Sequence, residues 1–171
     1  VVTIGSLGDN RFVESELFFV CKKTADRLKD YQLDIGDIVF SRVADVGRSI
    51  AISREQKGWI MSSNLMRIRL DQSKVISSFL QAQLANCYTI RKQIRAKVNS
   101  GGRDVANSDI LNSLLFLWPP FSEQKRVLER FQVLSKKVST EKNFSKKLHL
   151  IKFGLMQDLL TGRVRVPTER E

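Results

Sequence analysis

The first half of the chain changes its hydrophobic period once, near Ser73. From Leu33 to Ser53, short apolar runs separated by glycine-bearing turns predict two β-strands. A third strand is predicted in "NLMRIRL", where apolar residues alternate with Arg67 and Arg69. We interpret this alternation as a half-exposed sheet that presents a basic face.

Beyond the predicted strands the pattern becomes helical. Apolar residues recur at three- and four-residue steps from Ser73 to Val98, which indicates an amphipathic helix with a break near Asn86. The helix runs into "NSGGRD", which is a flexible loop by its glycines. A short helix capped by Ser108 is predicted next, followed by the apolar stretch "LLFLWPP".

The second helical region is continuous from Ser122, a suitable N-cap, to Gly162, a residue typical of a helix C-terminus. Its apolar residues form a narrow seam of coiled-coil type, which slips at the polar stretch "STEKN". The predicted helix-pairing residues are Val127, Phe131, Leu134, Val138, Phe144, Leu148, Ile151, Leu155 and Leu159. Such a seam indicates pairing with another helix; the alternative is a long helix that lies back on its own domain.

These elements together predict an α+β fold. We expect a globular domain of mixed β-sheet and helices at residues 1–120, a long coiled-coil-type helix at residues 121–162 and a C-terminal tail at residues 163–171. Pro119 and Pro120 separate the domain from the helix. Because two successive prolines restrict the backbone and cannot continue a strand ladder, we interpret them as a stiff joint.

The charge of the chain is strongly positive. There are 29 Lys and Arg residues against 18 Asp and Glu residues, a formal net charge of +11 and a pI of about 10.0. Residues 91–103 contain basic residues and no acidic ones. A polyanion, nucleic acid above all, is therefore the expected partner. A basic surface that serves only solubility is the alternative.

The residues that could carry catalysis do not form a recognisable site. "WPPF" is similar to the tetrapeptide of DNA amino-methyltransferases, but Trp118 stands where that motif has Asn or Asp. His149 lies within the predicted long helix, and Asp37 is interpreted as a turn residue. Cys21 and Cys87 are isolated, without the four ligands that zinc needs. The sequence therefore predicts a binding protein with no catalytic residues, metal or cofactor.

Four stretches of the sequence resemble one half of the DNA-specificity subunit of type I restriction–modification systems. They are "LDIGDIVFSRVADVG", "SSNLMRIRL", "SGGRDVANSDILNSLLFLWPPFSEQKRVLERF" and "LIKFGLMQDLLTGRVRV". The proline pair followed by Glu123 and Gln124, and the ending from Leu159 to Gly162, are the most specific features. The resemblance covers about Leu33 to Val166, and the first 30 or so residues match only loosely.

The resemblance implies an architecture and a set of partners. Subunits of this family contain a target-recognition domain and a long helix, twice over, and the two helices pack antiparallel. They direct a DNA adenine methyltransferase (modification) subunit and a restriction/translocase subunit to a bipartite site on double-stranded DNA, without catalytic activity of their own. This chain contains one such unit, so it is either the second half of a longer chain or a half-subunit that pairs with a second copy. Since it does not begin with Met, we expect a fragment or a processed product.

Charge and loop placement, rather than the resemblance, select the candidate DNA-binding residues. These are Arg42, Arg48 and Asn64 from the sheet loops, and Lys97, Asn99 and Arg103 from the glycine loop. The alternative function is a non-enzymatic coiled-coil scaffold with a basic surface that binds protein or RNA. We expect a cytoplasmic protein, because its cysteines are isolated thiols and no apolar run approaches the roughly 18 residues that span a bilayer.

Overall fold

The computed structural model describes residues 1–99 and 105–166 of the chain. By its internal contacts the chain divides into two compact units, Val1–Arg126 and Val127–Glu171. The helices are α1 (Lys22–Arg27), α2 (Ser77–Asn86), α3 (Tyr88–Asn99), α4 (Ser108–Asn112) and α5 (Phe121–Leu160), and the strands are β1 (Ile38–Ser41), β2 (Ser49–Ala51) and β3 (Leu65–Ile68). Short 3₁₀ turns lie at Glu14–Glu16, Lys29–Tyr31 and Arg54–Gln56. The predicted α+β class and the long C-terminal helix are confirmed.

The three strands form one antiparallel sheet in the order β2-β1-β3. Ile38 and Phe40 of β1 point to one face, where they pack against Leu84 of α2 and Ile94 of α3. Val39, between them, points to the other face. That second face is covered by the N-terminal segment, which contributes residues such as Val2, Leu7 and Leu33. The central strand is consequently buried on both sides.

The prediction of a half-exposed sheet with a basic face is therefore wrong for Arg67, which is half-buried, whereas the Arg69 side chain is 59% exposed. Arg67 donates from Nη1 to the backbone carbonyls of Asp30 (3.1 Å) and Gln32 (2.7 Å). Arg69 donates to both carboxylate oxygens of Asp37, each at 2.8 Å. The physical reason is that the N-terminal segment, whose sequence lacks a clear period, packs over the face that the alternation left for solvent.

The predicted break in the first helical region is confirmed. α2 ends at Asn86 and α3 begins at Tyr88, because Cys87 between them has extended backbone angles (φ −77°, ψ 117°). The apolar positions of both helices are buried in one cluster with β1. The cap of α4 differs from the prediction: Asn107, not Ser108, is the N-cap, and its side chain accepts a hydrogen bond of 2.9 Å from Ile110 N.

The segment before the proline pair is extended but is not a strand. Gln93 and Gln83 hold it, since their side-chain amides bond the backbone N–H and C=O groups of Leu115 and Leu117, respectively. The long helix then begins at Phe121, and the carbonyl of Pro120 accepts from Gln124 N at 3.1 Å. Ser122 is therefore inside the first turn rather than at the N-cap.

Gln124 fixes the first turn of α5 to the rest of the N-terminal unit. It is 1% exposed. Its Oε1 accepts from Ile76 N (3.0 Å), and its Nε2 donates to the carbonyls of Lys74 (3.2 Å) and Pro119 (2.9 Å). Three of its four hydrogen-bonding positions are thus used by backbone groups of Lys74, Ile76 and Pro119.

α5 continues for 40 residues and ends at Leu160. Gly162 adopts a left-handed φ of +72° and donates to the carbonyl of Leu159, so the predicted helix stop is confirmed. All nine predicted helix-pairing residues lie in this helix, and all except the half-buried Val127 are exposed. Among the described residues, no helix is both long and apolar enough to cross a membrane.

Candidate nucleic-acid interface

Three of the candidate residues lie at one end of the sheet. Arg42 follows the last residue of β1, Arg48 precedes β2 and Asn64 precedes β3. Because β1 pairs antiparallel with both neighbours, its C-terminal end lies beside the N-terminal ends of β2 and β3. Sequence reasoning placed these residues in loops, and the topology brings the loops together.

The residues that follow the glycine loop contact the same end of the sheet. The Arg42 backbone N–H donates to the carbonyl of Asn64 (3.3 Å), and its carbonyl accepts from Ala106 N (2.7 Å). Ala106 is fully buried. Residues 105 and 106 follow the glycine loop directly. Arg103 itself lies outside the described residues, as does the side chain of Asn99, which ends α3.

Helix α3 adds a basic surface next to these loops. Its apolar residues Ile90, Ile94 and Val98 are buried, whereas Lys92 and Arg95 are exposed. Lys97, a candidate residue, is half-buried near the end of the helix. α3 contains no acidic residue, so every charge that the helix itself carries is positive. Lys92 and Arg95 were not among the predicted contact residues, although the acid-free run already contained the signal that identifies them.

The two arginines of the β1–β2 loop differ in their surroundings. Arg42 is half-buried, and its Nε is buried without a hydrogen-bond partner in the described part of the chain. Arg48 donates from Nε to Asp45 Oδ2 (2.8 Å) and from Nη1 to the carbonyl of Leu7 (3.0 Å). The other carboxylate oxygen of Asp45 lies 3.8 Å from Arg91 Nη2. Sequence reasoning missed Asp45 and Arg91, because only the folded loop brings them together.

The β1–β2 loop itself is held in a fixed conformation. Ser41 Oγ donates to the carbonyl of Val43 (2.8 Å), and Gly47 N donates to the carbonyl of Ser41 (3.2 Å). Ala44 has a left-handed φ of +60°, which is uncommon for a residue with a Cβ atom. Backbone strain of this kind is found at binding and catalytic sites, where the surrounding contacts maintain it.

The opposite end of the sheet is structural. Asp37 precedes β1 and is 1% exposed. Its N–H donates to the carbonyl of Asp34, which agrees with its interpretation as a turn residue. The hydrogen bonds to Asp37 raise the pKa of Arg69 above its ordinary value. Ser77 Oγ at the start of α2 donates to the carbonyl of Gly36 (2.5 Å), which ties the same turn to the helices.

The described residues offer no metal-binding cluster. No group of three or more His, Cys, Asp and Glu side chains in that part of the chain could hold a metal ion. Cys21 and Cys87 are free thiols. Their pKa values are lowered, first of all by hydrogen bonds with the hydroxyl groups of Thr24 and Thr89, respectively.

The comparison with protein families decides the classification. The family of type I restriction modification DNA specificity domains matches residues 1–150. The chain belongs to this family. No curated protein matches the sequence. The family match includes all six candidate DNA-binding residues and the first three quarters of α5.

Solved structures share the fold of this specificity domain. One comes from work on complex assembly and conformational transition of the type I R-M system; its TM-score is 0.63, with 19% sequence identity over 82% of this chain and 36% of the other. The HsdS subunit from Thermoanaerobacter tengcongensis gives a TM-score of 0.61 with 18% identity, again over 82% of this chain and 36% of that one. The chain therefore spans about a third of the length of these proteins.

Proposed function

We propose that this chain is a DNA-specificity subunit, or half of one, of a type I restriction–modification complex. The observation that carries the proposal is the convergence of the β1–β2 loop, the residues before β3 and the return of the glycine loop at one end of the sheet, beside the acid-free helix α3. Because the chain belongs to the specificity-domain family, we assign the contact with double-stranded DNA to this end of the sheet.

The roles of the candidate residues follow from their surroundings. Arg42 and Asn64 lie at the end of the sheet, so we assign them to base edges in the major groove, where Arg and Asn make paired hydrogen bonds. Arg48 lies at the same end, and we assign it to a contact with the phosphate backbone. The exposed Lys92 and Arg95 on α3 suit phosphate contacts, which position the protein without reading sequence. Lys97, Asn99 and Arg103 belong to the same surface in this proposal.

Helix α5 serves for pairing with a second copy or with the other half of a parent chain. The exposure of its apolar residues supports this role, since eight of the nine seam residues are accessible in the single chain. A two-fold pair of recognition domains implies two inverted half-sites on DNA with an unread spacer between them. In this proposal, residues 1–120 form the recognition domain, residues 121–162 the spacer helix and residues 163–171 the tail.

The C-terminal part of α5 offers more apolar surface than one seam requires. Besides the predicted residues, a second row of exposed side chains steps by three and four residues, namely Leu150, Phe153, Met156 and Leu160. We assign this row to contact with a partner subunit, the DNA adenine methyltransferase. The restriction/translocase subunit completes the complex. Since specificity subunits are generally non-catalytic, methylation and cleavage lie in these partners.

Duplex binding at two salt concentrations tests the proposal. We expect the 171-residue chain to shift double-stranded DNA and to lose about a hundredfold in affinity between roughly 50 and 200 mM salt, the loss that about four phosphate contacts produce. Replacing Lys92 and Arg95 by Gln should weaken binding and flatten the salt dependence. The matched control replaces Lys136 and Lys137 of α5 by Gln, which removes the same charge outside the proposed surface.

Two results would contradict the proposal. One is binding to RNA or to protein without binding to duplex DNA, which would favour the basic coiled-coil scaffold. The other is an equal loss of DNA affinity in the α3 variant and in the α5 control, which would mean that charge acts without a defined surface.

A further inference from the structure

A cleft of about 440 Å³ lies between the N-terminal segment, the β1–β2 loop and α3. Its walls include two arginines, Arg48 and Arg91, and two carboxylates, Asp9 and Asp45. The remaining lining is made mostly of glycines and small or polar residues: Gly5, Leu7, Gly8, Asn10, Val13, Gly47, Ser49, Ala85 and Asn86. Such a lining lets a ligand approach the backbone closely.

Asp45 connects the two arginines of the cleft. One of its carboxylate oxygens bonds Arg48 Nε at 2.8 Å, and the other lies 3.8 Å from Arg91 Nη2. The side chain of Asp45 is 51% exposed, and those of Arg48 and Arg91 are 42% and 28% exposed. Asp45 thus presents one carboxylate oxygen to each of two guanidinium groups. A phosphate bound by two arginines presents its oxygens in the same way.

The cleft also holds a polar group that the protein leaves without a partner. Ser49 at the start of β2 is 5% exposed, and its Oγ has no hydrogen-bond partner among the described residues. A buried hydroxyl in this state costs free energy unless a ligand or a water molecule satisfies it. Gly47, two residues earlier, has a left-handed φ of +102°, which residues with a Cβ atom rarely adopt.

We propose that this cleft binds a phosphodiester group of the DNA backbone, and that Asp45 occupies the place of that phosphate in the free protein. The inference rests on the proposed function. Exposed ion pairs are weak, so a phosphate can displace the Asp45 carboxylate from Arg48 and Arg91. The displacement opposes binding to every duplex. Asp45 thereby lowers the affinity of the protein for DNA, non-specific duplexes included.

The test measures affinity for a duplex of random sequence with the full chain and its D45N variant. Asn keeps the shape of Asp and an acceptor for Arg48 Nε, but it lacks the charge. We expect D45N to bind non-specific duplex about fivefold more tightly, because an exposed ion pair is worth roughly that factor. The salt dependence should steepen by about one phosphate contact. D9N is the matched control, since it removes the same charge from the same cleft without an arginine ion pair in the described structure.

A double-mutant cycle connects the effect to the arginines. In an R91Q background, D45N should gain clearly less affinity than it gains in the wild-type chain. An equal gain in D9N, or a D45N variant that binds random duplex no better than the wild type, would overturn the inference and leave the proposed function standing. A wild-type chain that binds no duplex DNA would overturn both.

Discussion

Two buried polar residues, Asp37 and Gln124, hold the end of the N-terminal unit that lies away from the candidate interface. Each satisfies its polar atoms within the protein: Asp37 with Arg69 and the N–H of Asp34, and Gln124 with three backbone groups. By contrast, the two buried side-chain atoms without a partner among the described residues, Arg42 Nε and Ser49 Oγ, both lie at the interface end. At the residue scale, such unsatisfied polar atoms therefore mark the end proposed to bind DNA.

Replacing Gln124 by Ala tests the first part of this contrast. The substitution leaves Ile76 N and the carbonyls of Lys74 and Pro119 without their partner, so we expect the free energy of unfolding to fall by about 1–3 kcal/mol. Urea denaturation measures the loss. Gln132→Ala, at an exposed position of the same helix, is the control and should stay within about 0.5 kcal/mol of the wild type. Equal stabilities of the two variants would show that Gln124 does not anchor the helix.

At the scale of elements, the sequence predicts those strands and helices whose apolar residues recur at a regular period. The strands, the break before Tyr88 and the extent of α5 follow from steps of two, three and four residues. The covering of the sheet by residues 1–33 does not, because Val2, Leu7 and Leu33 are too widely spaced to show a period. For the same reason Arg67 and Arg69 were assigned to solvent, although the fold provides them with acceptors.

In the candidate site, too, some features can be predicted from the sequence and others depend on tertiary packing. Loop placement and charge identified Arg42, Arg48 and Asn64, and antiparallel pairing brings these residues to one end of the sheet. The ion pairs of Asp45 could not be predicted, because Arg91 lies 46 residues further along the chain and only tertiary packing brings it within 3.8 Å of that carboxylate.

The exposed seam of α5 gives the prediction for this element. Replacing Leu155 by Glu places a charge at a position where pairing would bury an apolar side chain. Burial of that side chain contributes about 2 kcal/mol to the free energy of association. We expect the dissociation constant for self-association to rise about thirtyfold or more. Sedimentation equilibrium of the full chain measures it. Gln157→Glu introduces the same side chain two residues along, on another side of the helix, and should leave association unchanged. A wild-type chain that stays monomeric at every concentration would contradict pairing with a second copy through α5.

At the scale of the whole molecule, DNA recognition and pairing are assigned to different parts of the chain. The N-terminal unit supplies the residues proposed to read DNA, and α5 supplies the proposed pairing surface. The fold likeness extends over only 36% of each larger neighbour. Two copies of the proposed recognition domain, related by a two-fold axis, would recognise two separated sequences rather than one continuous sequence.

Selection of bound sequences from a pool of random duplexes tests the central claim most directly. If this chain is a specificity subunit that pairs through its long helix, the enriched duplexes will contain two short inverted half-sites separated by a spacer of constant length and variable sequence. Enrichment of no sequence at all, or of a single uninterrupted site, would contradict the account.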